Sequence, residues 1–455
     1  MRTLPPLAFA LTLTGCSLIP AYQRPAVPAP THWPPTESRA VETPAAWWTD
    51  FGSPPLDGWV AQALAANQDL AAAVARIAQA RAVAAIAGAP AWPTLDASLG
   101  VVDSDRSGNA ASSGGTQNGT RTTAQLSAAY EIDLFGRVAA SRAAARSRLE
   151  ASRYDGSALR LTTSADVTQA ALELAATGER IRLAQASLAA TRSVLALLEA
   201  QFAAGRVSAL ERDQQRTVVA NTEAALAALE QTAATTGNRL ALLTGAATPD
   251  SPPQAIAWST LTLPAPRSAV PAALLGRRPD LARAEAELIA AGADIGAARA
   301  ALYPSLTIGW DRAWTRSPAA TLTTISANAL APLFRGGALR GELARTEARR
   351  AELVAVYRQA VLAAYREVSD ALDAQRQSAL RSAALDQAAG AARTTFEIAR
   401  ARFDAGAVDY AVLLEAQRSL IAAEDAAVTA RLDRFSAAVA LYRALGGGAA
   451  ESPAG

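Results

Sequence analysis

The sequence is short of most groups that do chemistry. Its 455 residues hold one cysteine, one histidine and one methionine, and every basic side chain is arginine. A single thiol closes no disulfide within the chain, so the fold relies on packing. The one histidine, His32, lies in a proline-rich stretch, which leaves no material for a His/Cys metal cluster or a histidine-based triad. Aromatic residues make up 5% of the chain, and the 51% apolar fraction is mostly alanine. That composition suits long helices packed closely on one another. Its 43 basic and 41 acidic residues are interspersed for a net charge of +2, so no basic stripe marks a nucleic-acid surface. The acidic residues fall at solvated helical spacings, and no constellation for an enzyme emerges. After residue 16 no run of eighteen uncharged apolar residues occurs, so no membrane-crossing helix is expected. Any crossing of a bilayer then falls to strands.

The place of the cysteine is informative. Before Cys16 the chain reads MRTLPPLAFALTLTG, with a charge at Arg2 and an apolar stretch from Leu4 to Leu13 too short to span a bilayer. This is the form of a signal peptide. Leu13-Thr14-Gly15-Cys16 resembles a bacterial lipobox, in which the cysteine becomes the new N-terminus and carries lipid, and Ser17 after it implies sorting to the outer membrane. Residues 1–15 are therefore expected to be removed and Cys16 lipidated, with no other cofactor. The plain alternative is a fortuitous cysteine in an ordinary signal.

The rest of the chain is written twice. "DLAAAVARIAQARAVAAIAGAPAWPTLDASLG" from Asp69 aligns without a gap on "DLARAEAELIAAGADIGAARAALYPSLTIGW" from Asp280, pairing Leu70 with Leu281 and Pro93 with Pro304 at an offset of 211. Further on, Phe202 pairs with Phe403, Gly205 with Gly406 and Gly245 with Gly446 at an offset of 201. Between them the first copy carries the longer insert "DSDRSGNAASSGGTQNGTR", which reads as a variable surface loop.

Each copy reads as helix, strand, loop, strand, helix, turn, helix. The first helix, about 56–89, ends at Pro90 and Pro93, which cannot continue it. Period 2 follows: Leu95, Ala97, Leu99 and Val101 alternate with polar residues, and so do Ala124, Leu126, Ala128, Tyr130 and Ile132, and Leu306, Ile308 and Trp310. Such alternation fits a barrel wall between lipid and water, and equally a half-buried sheet in a soluble protein. If it is a barrel wall, the edges of a four-stranded sheet cannot stay unpaired in lipid. Two chains would give about eight strands and a lumen filled by side chains, whereas three give about twelve and an aqueous pore.

Long helices follow at about 137–204 and 338–404, each turning at a glycine into a second helix at about 207–243 and 408–444. Leu174, Ile181, Leu188, Leu195 and Phe202 recur every seven residues, a coiled-coil seam with Ala184, Thr191 and Leu198 on the adjoining row. In the second copy the seam survives at Ala389, Phe396 and Phe403 but meets Gln375 and Ser382 upstream. The expected organisation is a signal peptide 1–15, an N-terminal linker and equatorial segment 16–55, a first repeat 56–245 with a hairpin at about 94–134, a linker 246–275, a second repeat 276–446 with a hairpin at about 305–331, and a tail 447–455.

Seven segments in order, from "YQRPAVPAP" and "WWTDFGSPPLDGWVAQALAANQDL" through "YEIDLFGR", "GRRPDLARAEAELIAAGADIGAARAALYPSL", "PLFRGG" and "GAVDYAVLLEAQRSL" to "LYRALGGG", resemble the TolC-like outer membrane factors. Within that family the likeness is to the NodT/OprM-type lipoprotein branch, and it covers essentially the whole mature chain. The resemblance implies an α+β membrane protein: a homotrimer whose twelve-stranded outer-membrane barrel joins a periplasmic helical tunnel. It also implies a role as the exit duct of a tripartite export system, with a periplasmic adaptor and an inner-membrane pump as partners and no catalysis. The other reading of the helices is a lipid-anchored periplasmic scaffold or adaptor without a pore.

In such ducts the gate lies where the second hairpins converge, which points to Arg402, Asp404, Asp409 and Tyr410 in "RFDAGAVDYAVLLEA". Rings of Asp404 or Asp409 would favour cations unless arginines neutralise them, and the plainer reading is a set of solvated helix-tip residues. The spacing of acidic residues after Gly406 departs from the common pattern, so no single gate residue is carried over. Hairpin tips are where adaptors dock in the family, which singles out Gly205, Arg206, Ser208, Gly406 and Ala407; Arg206 and Ser208 either meet an adaptor or cap the turn. Because a barrel inserts by itself, Cys16→Ala behind a working signal peptide is expected to keep its place in the outer-membrane fraction and its export activity. Loss of the protein from that fraction would show the lipid to be the anchor.

Overall fold

The computed structural model describes residues 18–28, 44–104, 119–247, 256–264, 276–316 and 319–447. Cys16, His32 and the heart of the first-copy insert lie outside them. Contact patterns divide the chain into two compact units, one holding the N-terminal segment to Ala26 with 76–153 and 283–358, the other holding 27–75, 154–282 and 359–455.

Eleven elements carry the described fold: α1 Pro54–Ala66, α2 Gln68–Gly88, β1 Thr94–Ser104, β2 Gly119–Ile132, α3 Arg137–Ala203, α4 Ala209–Leu243, α5 Pro279–Ala300, β3 Ser305–Arg316, β4 Ala320–Leu330, α6 Ala338–Asp404 and α7 Tyr410–Ala444. Two short 3-10 turns, Trp47–Phe51 and Trp258–Thr260, hold aromatic residues. The 67-residue α3 and α6 each run about 100 Å at 1.5 Å per residue.

In the first unit the four strands form one antiparallel sheet in the order β1-β2-β3-β4. Its register settles the faces. Leu95 lies opposite Ala128, Leu99 opposite Ala124, Tyr130 opposite Ile308, and Trp310 opposite both Ala128 and Ile325. Directly paired residues share a face, so nearly all the alternating apolar positions fall on one side. The other side carries Asp96, Ser98, Gln125, Ser127, Thr307, Asp311, Ser326 and Asn328, with Gln125 Nε2 donating to Asp311 Oδ1 at 3.2 Å. Leu95, Leu99, Val101 and Ile325 are all exposed on the apolar face. Water would oppose so large an apolar surface, whereas hydrocarbon favours it. Trp314 and Tyr130 mark opposite ends of that face, where interfacial aromatics belong.

The same unit carries an N-terminal strap. Tyr22 Oη and Arg24 Nε donate to Glu285 Oε1 at 2.7 and 2.9 Å, and Arg24 Nη2 to Glu285 Oε2 at 2.7 Å. Burial, then the Glu285 carboxylate, hold the Tyr22 hydroxyl well above its ordinary value.

In the second unit the core gathers Trp47, Phe51, Leu56, Val60, Leu172, Trp258, Phe435 and Tyr442. Trp47 stacks on Tyr442 at 5.0 Å, and Tyr442 Oη donates to Asp50 Oδ2 at 2.6 Å. Five of the chain's 24 aromatic residues are buried here, with Trp48 and Trp59 packed against them.

The expected single helix over 56–89 is two. The chain breaks at Asn67, whose backbone is extended (φ −64, ψ 128). Its Oδ1 accepts from the amides of Asp69 and Leu70 at 2.9 and 3.1 Å, capping α2, while Nδ2 donates to the Leu243 carbonyl at 3.0 Å. Arg278 stands at the equivalent place in the second copy, and its Nη1 donates to the Ala444 carbonyl at 3.1 Å. Both copies thus tie the start of a helix to the end of that copy's last helix, with different side chains. Burial would drive the proton from Arg278, but Asp280 and Glu367, each 2.8 Å away, outweigh it and raise its affinity for the proton.

The seam is also shifted. From residue 181 to the end of α3 the buried positions are Leu188, Thr191, Val194 and Leu198, while Leu195 is half-buried and Phe202 exposed. In α6 Ser382 is buried alongside Ala389, so the polar interruption faces inward. Two helical stretches, Pro54–Ala91 and Arg137–Ala203, are long and apolar enough to cross a membrane by length and composition alone. Neither is an uncharged apolar run; alanine keeps their mean hydropathy high around a few charges.

Gly245 and Gly446 close the two junctions with φ of 82 and 89. A Cβ would meet the Ala66 carbonyl oxygen at 2.5 Å and the Arg277 carbonyl oxygen at 2.7 Å. Gly446→Ala is therefore expected to destabilise by at least ~1 kcal/mol from the backbone conformation alone, read as a lower thermal midpoint by circular dichroism in detergent. An unchanged midpoint would mean the junction yields freely.

Candidate functional site

The two hairpin tips, residues 200–217 and 400–417, lie within the second unit. Each long helix stops in the same way. Arg206 N donates to Gln201 O and Gly205 N to Phe202 O, both at 2.9 Å; Ala407 N donates to Arg402 O at 2.8 Å and Gly406 N to Phe403 O at 2.9 Å. This 6→1 and 5→2 pair needs a left-handed residue between, and Gly205 and Gly406 supply it at φ 69 and 70.

The second helices start differently. Ser208 caps α4: its Oγ accepts from Leu210 N at 3.2 Å, and Glu211 Oε2 accepts from Ser208 N at 2.6 Å. Hydrogen bonds from the Ser208 hydroxyl, then from its amide, hold the Glu211 carboxyl below its ordinary value. Of the two roles open to Ser208 in the sequence, the structure shows it capping. Asp409 is the N-cap of α7 by position, with extended backbone but no side-chain cap bond. Arg206, Arg402, Asp404 and Asp409 are exposed. Asp404 Oδ2 lies 3.9 Å from Arg400 Nε, and Arg400 Nη2 reaches Ser193 Oγ at 3.3 Å.

Tyr410 is placed apart from the other gate candidates. It is 5% exposed, inside a cluster of Val194, Leu198, Val218, Leu413 and Leu414. Its hydroxyl donates to Gln215 Oε1 at 2.7 Å. Gln215 Nε2 donates in turn to the Thr191 carbonyl at 2.8 Å and, at 3.4 Å, to Gln417 Oε1. Gln417 Nε2 is buried with no hydrogen-bond partner. A polar chain therefore crosses from the second hairpin to the first just behind the tips. Sequence reasoning missed Gln215 and Gln417, whose only signal is a glutamine one turn from apolar seam positions in both α4 and α7. Among the described residues no group of three or more His, Cys, Asp or Glu is placed to hold a metal ion.

A lipid-suited sheet and paired helical hairpins written twice are the features to match against known proteins. A family model described as "Outer membrane efflux protein" matches residues 59–246 and 270–447. The chain belongs to the outer membrane efflux protein family. The pyoverdine export outer membrane protein OpmQ of Pseudomonas aeruginosa is 39% identical over 98% of this chain and 97% of its own. The cation efflux system protein CusC of Escherichia coli is 30% identical over 97% of this chain and 98% of its own. Among solved structures, the outer-membrane channel OprN superposes with a TM-score of 0.88 at 26% identity, covering 95% of this chain and 99% of that one. A CusC structure superposes at 0.83 with 27% identity, over 95% and 100% of the two chains. This efflux protein therefore has the α+β outer-membrane channel fold, and its place is the outer membrane.

Burial, then the nearby Glu211 carboxylate, push Tyr410 up from 10.0 to about 12, with Arg418 opposing. Its neutral hydroxyl is favoured by folding, so that contribution is complete below pH 10 and is lost as pH rises towards 12. Tyr410→Phe removes one neutral bond worth about 1 kcal/mol net. It is expected to speed amide exchange at residues 406–412 several-fold at neutral pH, without unfolding the helices; unchanged exchange would mean the bond does not hold the tip.

Proposed function

We propose that this chain is the exit duct of a tripartite export system, acting as a homotrimer with a periplasmic adaptor and an inner-membrane pump. The observation that carries it is the four-stranded sheet, mostly apolar on one face, polar on the other and without a strand partner at either edge among the described residues. Three copies bring twelve strands, enough for an aqueous lumen lined by the polar face, whereas two copies give a barrel filled by side chains. The paired helical hairpins then form a periplasmic tunnel, and the chain does no chemistry of its own. A poreless scaffold has no use for a lipid-suited sheet.

The tips are the parts that meet other molecules in this reading. Gly205, Arg206, Gly406 and Ala407 lie at exposed turns open to an adaptor. Arg402, Asp404 and Asp409 form the charged surface of the gate, while Tyr410 holds it from behind through Gln215. Lipid on Cys16 adds a tether to a protein that inserts through its strands. The relatives at 39% and 38% identity are named for pyoverdine export, and those at 30% for toluene and cations. The higher identity favours pyoverdine or a compound like it as cargo.

Purified protein is expected to form a heat-sensitive trimer that conducts ions in planar bilayers, with a deletion strain retaining the secreted product inside the cell. Asp404→Asn and Asp409→Asn are expected to lower the preference for cations of any current that passes the tips. Carbonate-extractable protein with no conductance would favour the scaffold instead.

A further inference from the structure

The sheet ends beside three large apolar side chains left exposed among the described residues of the first unit. Trp92 stands two residues before β1 and is 74% exposed; Leu333 and Phe334 follow β4 by three and four residues and are 95% and 88% exposed. Antiparallel alternation in the order β1-β2-β3-β4 puts the start of β1 and the end of β4 at the same end of the sheet, on its two opposite edges. Neither edge has a strand partner among the described residues.

The loop that carries Leu333 and Phe334 is built to present them. Its neighbours Pro332, Arg335 and Leu339 line a cavity of about 350 Å³ together with Phe135 and Tyr303, whose rings stack at 4.7 Å. Leu333 and Phe334 do not line it. Trp92 has extended backbone (φ −121, ψ 151), so by period 2 it falls on the face of Thr94 and Asp96. That is the polar face, which argues against lipid as its cover.

We infer that Leu333 and Phe334 are an inter-protomer anchor, seated against Trp92 at the start of β1 of a second copy of this chain. The inference rests on the trimer reading above. Closing a barrel pairs β4 of one copy with β1 of the next, and paired strands lie about 4.8 Å apart. The residues flanking those two strands at the shared end then come within side-chain reach. One contact of this kind per interface covers the three exposed side chains and fixes the strand ends that pair.

The test is photo-crosslinking in the full-length protein in the outer membrane, with p-benzoylphenylalanine at position 334 and, separately, at 333. The expected product is a covalent dimer on denaturing gels, with the adduct mapped by mass spectrometry to the tryptic peptide 82–106 that contains Trp92. An adduct only to phospholipid, to another protein or within the same chain would overturn the anchor. Native mass spectrometry separates this from the reading beneath it: a trimer without that adduct defeats the anchor alone, whereas a monomer defeats the trimer as well. As a second measure, Phe334→Ser is expected to lose the trimer band at temperatures where the unaltered protein keeps it, and Phe334→Leu to restore it. Equal heat resistance in all three would also overturn the anchor.

Discussion

A backbone amide or carbonyl in hydrocarbon has no water to bond to, and each one left unpaired costs several kcal/mol. The sheet of this protein offers two rows of such groups, one along β1 and one along β4. Four strands are too few to curl round and close on themselves, so another chain must satisfy both rows. Oligomerisation is then a condition of insertion. In the proposed trimer the polar face becomes a continuous lining and the apolar face a continuous belt.

Duplication explains how one chain supplies four strands, and the differences between its copies show what each place requires. The junctions are kept while their chemistry varies: Asn67 reaches the Leu243 carbonyl and Arg278 the Ala444 carbonyl. Either side chain satisfies an acceptor at a helix end that would otherwise be left over. The tips kept their left-handed glycine and then diverged. α4 begins with a serine-glutamate capping box, whereas α7 begins at an aspartate that makes no cap bond. Capping by serine or aspartate contributes about 1 kcal/mol to a helix start, and α7 forgoes it where the second hairpin ends.

Patterns that solvent imposes were legible in the sequence. Strand alternation from Leu95 to Val101 and from Ala124 to Ile132 records a surface with two different media, and the register joins those positions on one face. Helix ends were legible to within two residues where glycine or proline forced them, as at Gly205 and Pro93. What depends on a distant partner was not. The break at Asn67 needs the Leu243 carbonyl, and the burial of Tyr410 needs Gln215. The seam was misread for a subtler reason: an α-helix of 3.6 residues per turn drifts about 20° per heptad against a strict seven-residue repeat. Over the span from Leu174 to Phe202 that drift carries Leu195 and Phe202 off the contact line and brings Thr191, Val194 and Leu198 onto it.

The polar chain behind the tips has a cost that an apolar core would avoid. Gln417 Nε2 is buried without a partner, and an unmet buried donor forfeits about 1–3 kcal/mol. Leucine at such a position would pack without that penalty. This sequence builds the cluster around Trp47 and Phe435 mainly from apolar side chains, with one hydrogen bond from Tyr442 to Asp50 and with Trp47 Nε1 likewise buried without a partner. At the tips it builds Tyr410–Gln215–Thr191 instead, from neutral bonds each worth about 0.5–1.5 kcal/mol net. Bonds of that size hold a helix end in place at rest and can be exchanged for others at little cost when a neighbour binds. An unsatisfied amide beside them favours rearrangement, because any change that gives Gln417 Nε2 a partner gains free energy. A tip assembled this way is stable in one position without being committed to it, which is the physical property that the proposed gate calls for.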